Sequence, residues 1–371
     1  MIDSHAHAVT GGPGPLDLSE VSLELAETEA ARAERARAGP SRLSQELLRV
    51  RLARELGCQP DELEEARAEA SRDWQAYVRR LFSSGGLEGL VLDPGWSGGD
   101  PEEARSEMAR LTGAEVRTIM RLDPLVDELI ANGATAAEVM EQAQAAVASA
   151  PSQGYVGLKT ILAYRTGLRV DPGATMAQAQ ASLDESSPRV PPRRRGKALR
   201  DRLTRAMLGW ASELGLPVQF HTGFGDSEIR LSDADPLLLE ELLLTSEGRA
   251  AQVVLIHGSF PWHEQLAYLA LVHPNVHAEL SLFNIFAPAR LAQRLERVLE
   301  LAPGSRVLCG TDGHGAPETF WFAATLLQEA WAVLRGRWAQ QGARPQWLEG
   351  VGQAIFQGNT ARLYRFGTPP T

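Results

Sequence analysis

Apolar and polar positions along the chain repeat with two different periods, and the switch between them organises the sequence. Short apolar runs of strand length recur at residues 1–7, 87–93, 115–122, 155–161, 217–221, 252–257, 276–280 and 306–312. Most are rich in Val, Ile and Leu without strict alternation, as expected of strands buried on both faces of a parallel sheet. Between them lie longer stretches with apolar residues at helical spacing, at 101–111, 125–150, 196–214, 236–247, 262–272, 288–301 and 318–341, before a last region at 346–366. Strands alternating with helices on this scale predict an α/β fold, a (β/α)8 TIM barrel. An open doubly wound sheet is the rival, but no Gly-rich phosphate loop follows the first strand.

Two segments depart from the rhythm. Residues 19–82 are heavily charged and helical in pattern, with Leu43, Leu47, Leu48, Leu52 and Leu56 along one apolar face and Pro60-Asp61-Glu62 suited to a helix start. They predict a helical insertion after the first strand, within a single domain spanning residues 1–371. Residues 176–195 mix Ala, Ser and Pro and end in Pro191-Pro192-Arg193-Arg194-Arg195, which predicts an exposed, mobile loop.

Composition narrows the function. With 371 residues, 44% hydrophobic and 23% charged, the chain can bury a large core. Its net charge of −10 argues against nucleic-acid binding, and no apolar run is long enough to cross a bilayer. The only cysteines, Cys58 and Cys309, lack metal-ligand spacing and lie in unlike contexts, so a reducing cytoplasm is the expected setting. No signal-peptide pattern opens the chain, although only Met1 and Ile2 precede Asp3, so the natural start could lie upstream. A small-molecule substrate is expected, and self-association into a homo-oligomer is compatible with this surface.

The candidate chemistry sits at strand ends. In Asp3-Ser4-His5-Ala6-His7 the two histidines share one face of a strand, and Asp312 ends the last strand in Cys309-Gly310-Thr311-Asp312-Gly313-His314. Lys159, His221 and His257 fall at the carboxyl ends of the fourth, fifth and sixth strands, which converge in a barrel on the face where active sites form. A single buried histidine is more often a hydrogen-bonded core residue than a ligand. Here the pattern repeats at one topological position. Imidazoles with a carboxylate suit a divalent ion, zinc above all, with His5, His7, His221 and Asp312 as ligands.

These motifs carry a family resemblance. Asp3-Ser4-His5-Ala6-His7, Phe220-His221-Thr222-Gly223, Ile256-His257-Gly258 and Gly310-Thr311-Asp312 resemble the amidohydrolase superfamily of metal-dependent barrel enzymes, in its amidohydrolase-related branch. Gly157-Leu158-Lys159-Thr160, Tyr164-Arg165-Thr166-Gly167-Leu168, Thr311-Asp312-Gly313-His314 with Pro317-Glu318, and Gly358-Asn359-Thr360-Ala361 are similar to one subgroup. That subgroup includes the barrel domain fused to glutamine-synthetase-like proteins in fungi and plants. The likeness spans nearly the whole chain except the insertion and the loop around Pro191.

The resemblance implies hydrolysis of an amide or other C–N bond in a small polar substrate by metal-activated water, with one or two ions. Glutamine- or glutamyl-like substrates follow from the fused relatives. Relatives also include decarboxylases and lactonases, so a decarboxylase or lyase on the same fold is an alternative, as is a non-catalytic partner of a glutamine-synthetase-like protein. Asp312 would bind metal and shuttle the proton; His257 would be a second-metal ligand or a base and oxyanion stabiliser. Lys159 has three readings: carboxylated and bridging two metals, a cation for a substrate carboxylate, or a lysine at the barrel end. Arg165, His314 and Trp96 are candidate substrate contacts, Arg165 as a carboxylate clamp. Glu318, after a proline, is accounted for by the charge preference of a helix start.

Overall fold

The computed structural model describes residues 1–16, 42–95, 100–185 and 190–367, together with Ala33 and Arg37. Eight strands lie in one parallel sheet in chain order: Ile2–Ala6 (β1), Gly89–Leu92 (β2), Glu115–Arg121 (β3), Tyr155–Thr160 (β4), Val218–His221 (β5), Val253–Ile256 (β6), Val276–Leu280 (β7) and Val307–Cys309 (β8). β1, β2, β5, β6, β7 and β8 are buried along their entire length. That burial explains why apolar runs rather than alternation marked the strands.

The ends of the sheet meet. The Asp312 amide donates to the His5 carbonyl at 2.9 Å, the His7 amide to the Gly313 carbonyl at 2.7 Å and the Gly315 amide to the Ala8 carbonyl at 3.0 Å. Asp3 stitches the same seam, accepting from the Thr311 amide at 2.9 Å and from the Thr311 hydroxyl. With helices around the sheet, this is a (β/α)8 barrel.

After β1 come the helices Leu43–Leu56 (α1), Leu63–Ala70 (α2) and Trp74–Ser84 (α3). The start of the expected insertion lies outside the described residues. Along α1, Leu48 and Leu52 are fully buried but Leu43 is 51% exposed, so the apolar face is narrower than the spacing suggested. Tyr77 and Leu81 of α3 join the main core, while Val78 and Phe82 pack with Leu90, Leu92 and Phe320. α3 therefore occupies the place of the barrel helix between β1 and β2. The charged stretch is woven into the core at its far end.

Glu318 does more than its position after a proline suggested. It is fully buried, accepting from Arg67 Nε at 2.8 Å and Tyr77 Oη at 2.7 Å. Arg67 also donates to the carbonyls of Gly12 and Gly14 at 2.9 and 2.8 Å, which pins the loop after β1. A buried guanidinium needs such partners.

Elsewhere the sequence boundaries shift for local reasons. The stretch 125–150 forms two helices, Asp123–Ala131 (α4) and Ala136–Ser149 (α5). Gly133 at φ 80° breaks the run, and Thr135 and Glu138 form a reciprocal capping box that starts a new helix. The region expected as a mobile loop contains the helix Met176–Asp184, capped in the same way by Thr175 and Gln178 and packed on the helix Lys197–Leu214. Arg193 pairs with Glu228 at 2.8 Å, and Arg195 donates to the Val190 carbonyl at 2.7 Å. The stretch 236–247 is divided into Pro236–Leu239 and Glu240–Leu243, with Ser246–Ala250 following. Among the described residues, no helix is long and apolar enough to cross a membrane. Cys58 and Cys309 are unpaired.

Candidate metal centre

β1 delivers His5 and His7 to the rim, and the segment after β8 delivers Asp312. Asp312 is not the end of the strand, as its position suggested. The strand stops at Cys309, and Asp312 sits in a left-handed turn at φ 52°. Such a conformation costs a non-glycine residue roughly 1–2 kcal/mol, and here it turns the carboxylate toward β1. Asp312 Oδ1 lies 3.2 Å from His5 Nε2 and 3.5 Å from His7 Nε2. Ligand atoms of these three residues all fall within 4.8 Å of one another.

The other strand-end residues gather beside them. The His5 ring lies 5.2 Å from that of His7 and 5.4 Å from that of His257. His257 is 4.5 Å from His221, whose other side meets Tyr164 at 4.6 Å. Lys159 Nζ is 2.9 Å from His5 Nε2. The barrel thus brings His5, His7, Lys159, His221, His257 and Asp312 into one cluster.

Hydrogen bonds to carbonyls assign the imidazole protons, because a carbonyl only accepts. His7 Nδ1 lies 3.0 Å from the Asp93 carbonyl, so Nδ1 carries the proton and Nε2 turns a lone pair toward Asp312. His221 Nε2 lies 3.2 Å from the Phe224 carbonyl, which leaves Nδ1 bare. Burial pushes both His7 and His221 down to about 3 and also lowers His5 and His257, so these rings are neutral near neutral pH. Burial opposes the charge on Asp312, but the imidazoles of His257, His5 and His7 hold its carboxyl well below the usual range.

The donor set fits a divalent ion. His7 Nε2 and Asp312 Oδ1 are two acceptors facing each other at 3.5 Å with no proton to share. Asp312 Oδ1 is buried without a hydrogen bond. Converging lone pairs of this kind are unfavourable alone and are relieved by a cation. The His7 side chain is 25% exposed, against 10% or less for His5 and Asp312, so the cluster opens to the outside at His7.

Two residues escaped the sequence reading. Asp93, just past β2, is fully buried and accepts from Lys159 Nζ at 2.9 Å and Arg121 Nε at 3.0 Å. Arg121 ends β3. Burial works against the charge on Asp93, but Lys159 and Arg121 hold its carboxyl well below the usual range. Burial lowers Lys159, and Asp93 opposes that shift. Both missed residues occupy the strand-end position that identified the others, so the same rule could have found them.

The remaining candidates are placed differently. Arg165 is buried and donates to Asp127 Oδ2 at 2.9 Å, and Arg200 reaches the other oxygen of that carboxylate at 2.7 Å. His314 Nδ1 lies 2.9 Å from the Asp312 carbonyl, so it supports the turn that carries Asp312. Trp96 lies outside the described residues.

Comparison with known proteins agrees with this geometry. The amidohydrolase family model matches residues 2–366, and the chain belongs to that family. The protein fluG of Emericella nidulans is 27% identical over 409 residues, a match that takes in all of this chain and 46% of that protein. The chain thus spans about half the length of this curated relative. A proposed metal-dependent hydrolase from Lactobacillus casei superposes with a TM-score of 0.84 at 24% identity, covering 98% of this chain and 95% of that one. A uronate isomerase from Thermotoga maritima shares the fold at a TM-score of 0.68 and 14% identity, over 98% and 94% of the two chains. Members of this family are typically metal-dependent, and reactions among its relatives differ, so the site must carry the assignment of chemistry.

Proposed function

We propose that this protein is a divalent-metal-dependent hydrolase that uses activated water on a small polar substrate, at an amide or other C–N bond. The observation that carries the reading is the convergence of His5 Nε2, His7 Nε2 and Asp312 Oδ1 at 3.2–3.5 Å, with no proton between His7 and Asp312. His5, His7 and Asp312 would hold the ion; His221, expected from the sequence as a fourth ligand, lies outside that group and would have to bring its bare Nδ1 to it. Nitrogen and oxygen donors of this kind suit zinc. Bound there, the ion would supply Lewis acidity and lower the pKa of water toward neutrality. Asp312 would take a proton from the attacking water and return it to the leaving group. His257, buried among the same rings, would act as a base toward the reacting atoms or as a ligand to a second ion.

Of the readings open for Lys159, the cation fits its surroundings. Carboxylation would place a new anion against Asp93, which already lies 2.9 Å from Nζ. As an ammonium, Lys159 is matched by that carboxylate and donates to the His5 Nε2 lone pair at 2.9 Å; an ion taking that lone pair would release Lys159 toward a substrate anion. The unpaired Cys58 and Cys309 suit a reducing compartment such as the cytoplasm.

The test is metal analysis of the purified full chain, followed by assay of a panel of N-acyl amino acids and amides for released amine or ammonia. Amine release that stops on chelation and returns with zinc is the expected result. Carbon dioxide without amine would replace hydrolysis by decarboxylation, and full activity after metal removal would overturn the metal reading.

A further inference from the structure

One buried carboxylate has no part in the proposed chemistry. Glu279, on β7, is fully buried beneath His257 and receives three hydrogen bonds from three elements. Ser4 Oγ of β1 donates to its Oε1 at 3.1 Å. The His257 amide donates to Oε2 at 3.0 Å, and Ser281 Oγ donates to the same oxygen at 2.7 Å. Ser281 Oγ also lies 2.8 Å from His257 Nδ1.

A hydroxyl has one proton. Ser281 gives it to Glu279, so toward His257 it can only accept. The Nδ1 nitrogen must therefore carry the ring proton, which leaves Nε2 bare. The assignment holds for the carboxylate and for an acid with its proton on Oε1, where Ser4 Oγ can accept it. The same carboxylate steadies the backbone. His257, Gly258 and Ser259 run through the left-handed region at φ 70°, 58° and 46°, and Glu279 holds the first amide of that turn.

We propose that Glu279 and Ser281 are positioning residues that fix His257 as the Nδ1–H tautomer, with Nε2 unprotonated among the rings of His5 and His221. The inference rests on the reading of His257 as a working group of the site. It specifies what that reading needs, an imidazole that presents an acceptor rather than a donor to the reacting atoms or to a second ion.

The test is nitrogen NMR of the histidine rings in the full-length protein loaded with zinc, with His257 assigned through His257→Gln. Wild type should show His257 protonated at Nδ1 alone. Ser281→Ala removes the acceptor, and losing a buried hydrogen bond of this kind should shift the tautomer ratio toward Nε2–H by roughly 5- to 30-fold. Glu279→Gln, which can keep an oxygen toward Ser281 and an amide toward Ser4, should retain the wild-type tautomer. Glu279→Leu should lose it if it folds. An Nε2–H ring in wild type, or an unchanged ratio in Ser281→Ala, overturns the proposal. Zinc content, measured on the same samples, separates this from failure of the metal site. Full zinc with an unmoved tautomer sinks only the relay, whereas absent zinc in wild type counts against the underlying reading.

Discussion

The chain contains two kinds of buried histidine. At the rim, the buried His5, His221 and His257 crowd together with the partly exposed His7; away from it, His263 and His277 lie outside that group. Burial lowers members of both groups, to about 3 for His7 and His221 and about 4 for His263 and His277. Each also has an ordinary hydrogen bond, His263 Nδ1 to the Gly258 carbonyl at 2.7 Å and His277 Nε2 to Gln252 Oε1 at 3.0 Å. Neither burial nor neutrality separates a ligand from a core residue. What separates them is the unprotonated nitrogen. In His7 it faces another acceptor, Asp312 Oδ1, whereas in His263 and His277 it faces none.

Mutations that act on one group and spare the other test this distinction. Asp312→Asn should weaken zinc binding by more than about 100-fold, beyond the usual effect of losing an outer partner, while His263→Asn leaves metal content unchanged. Competition against a chromogenic chelator measures both, and equal losses would erase the distinction. Asp93→Asn should have the next largest effect, weakening binding roughly 10- to 100-fold, because Asp93 holds Lys159 beside His5 without touching the ion site itself. Unaltered affinity in this variant would make Asp93 a purely architectural residue.

The smallest effect concerns pH. His277 is buried near Arg362 and Arg306, with its folded value near 4 against 6.5 in the unfolded chain. The folded state therefore binds fewer protons, and stability present above pH 6.5 is lost as pH falls toward 4. Between pH 7 and 5.5 the wild type should lose about 1 kcal/mol more than His277→Gln, by denaturant titration. Parallel losses in the two proteins would show that His277 is not held neutral by the fold.

Much of this was legible in the chain because strand ends in a barrel share one face. That rule placed His5, His7, Lys159, His221, His257 and Asp312 together without any distance, and Asp93 and Arg121 occupy the same strand-end position. Other features could not be read from residue spacing. The left-handed turns at His257 and Asp312 are held by tertiary hydrogen bonds that their amides donate to Glu279 and to the His5 carbonyl, not by a glycine at those positions. Arg165 looked like a ligand clamp because its partner Asp127 lies on a helix, 38 positions earlier. The capping boxes at Thr135 and Thr175 were visible in the sequence but were overridden by the length of the Ala-rich run and by the Ser and Pro content around 186–192.

The seam between β1 and the segment after β8 gives the site a schedule as well as a location. Thr311 meets Asp3 across 308 positions of chain, so during synthesis the leading histidines wait with no carboxylate to complete their set. On the proposed reading, ion capture would begin only once translation has passed the eighth strand. A cation arriving at that moment would fasten the two ends like a clasp, so that loading records the completion of the barrel.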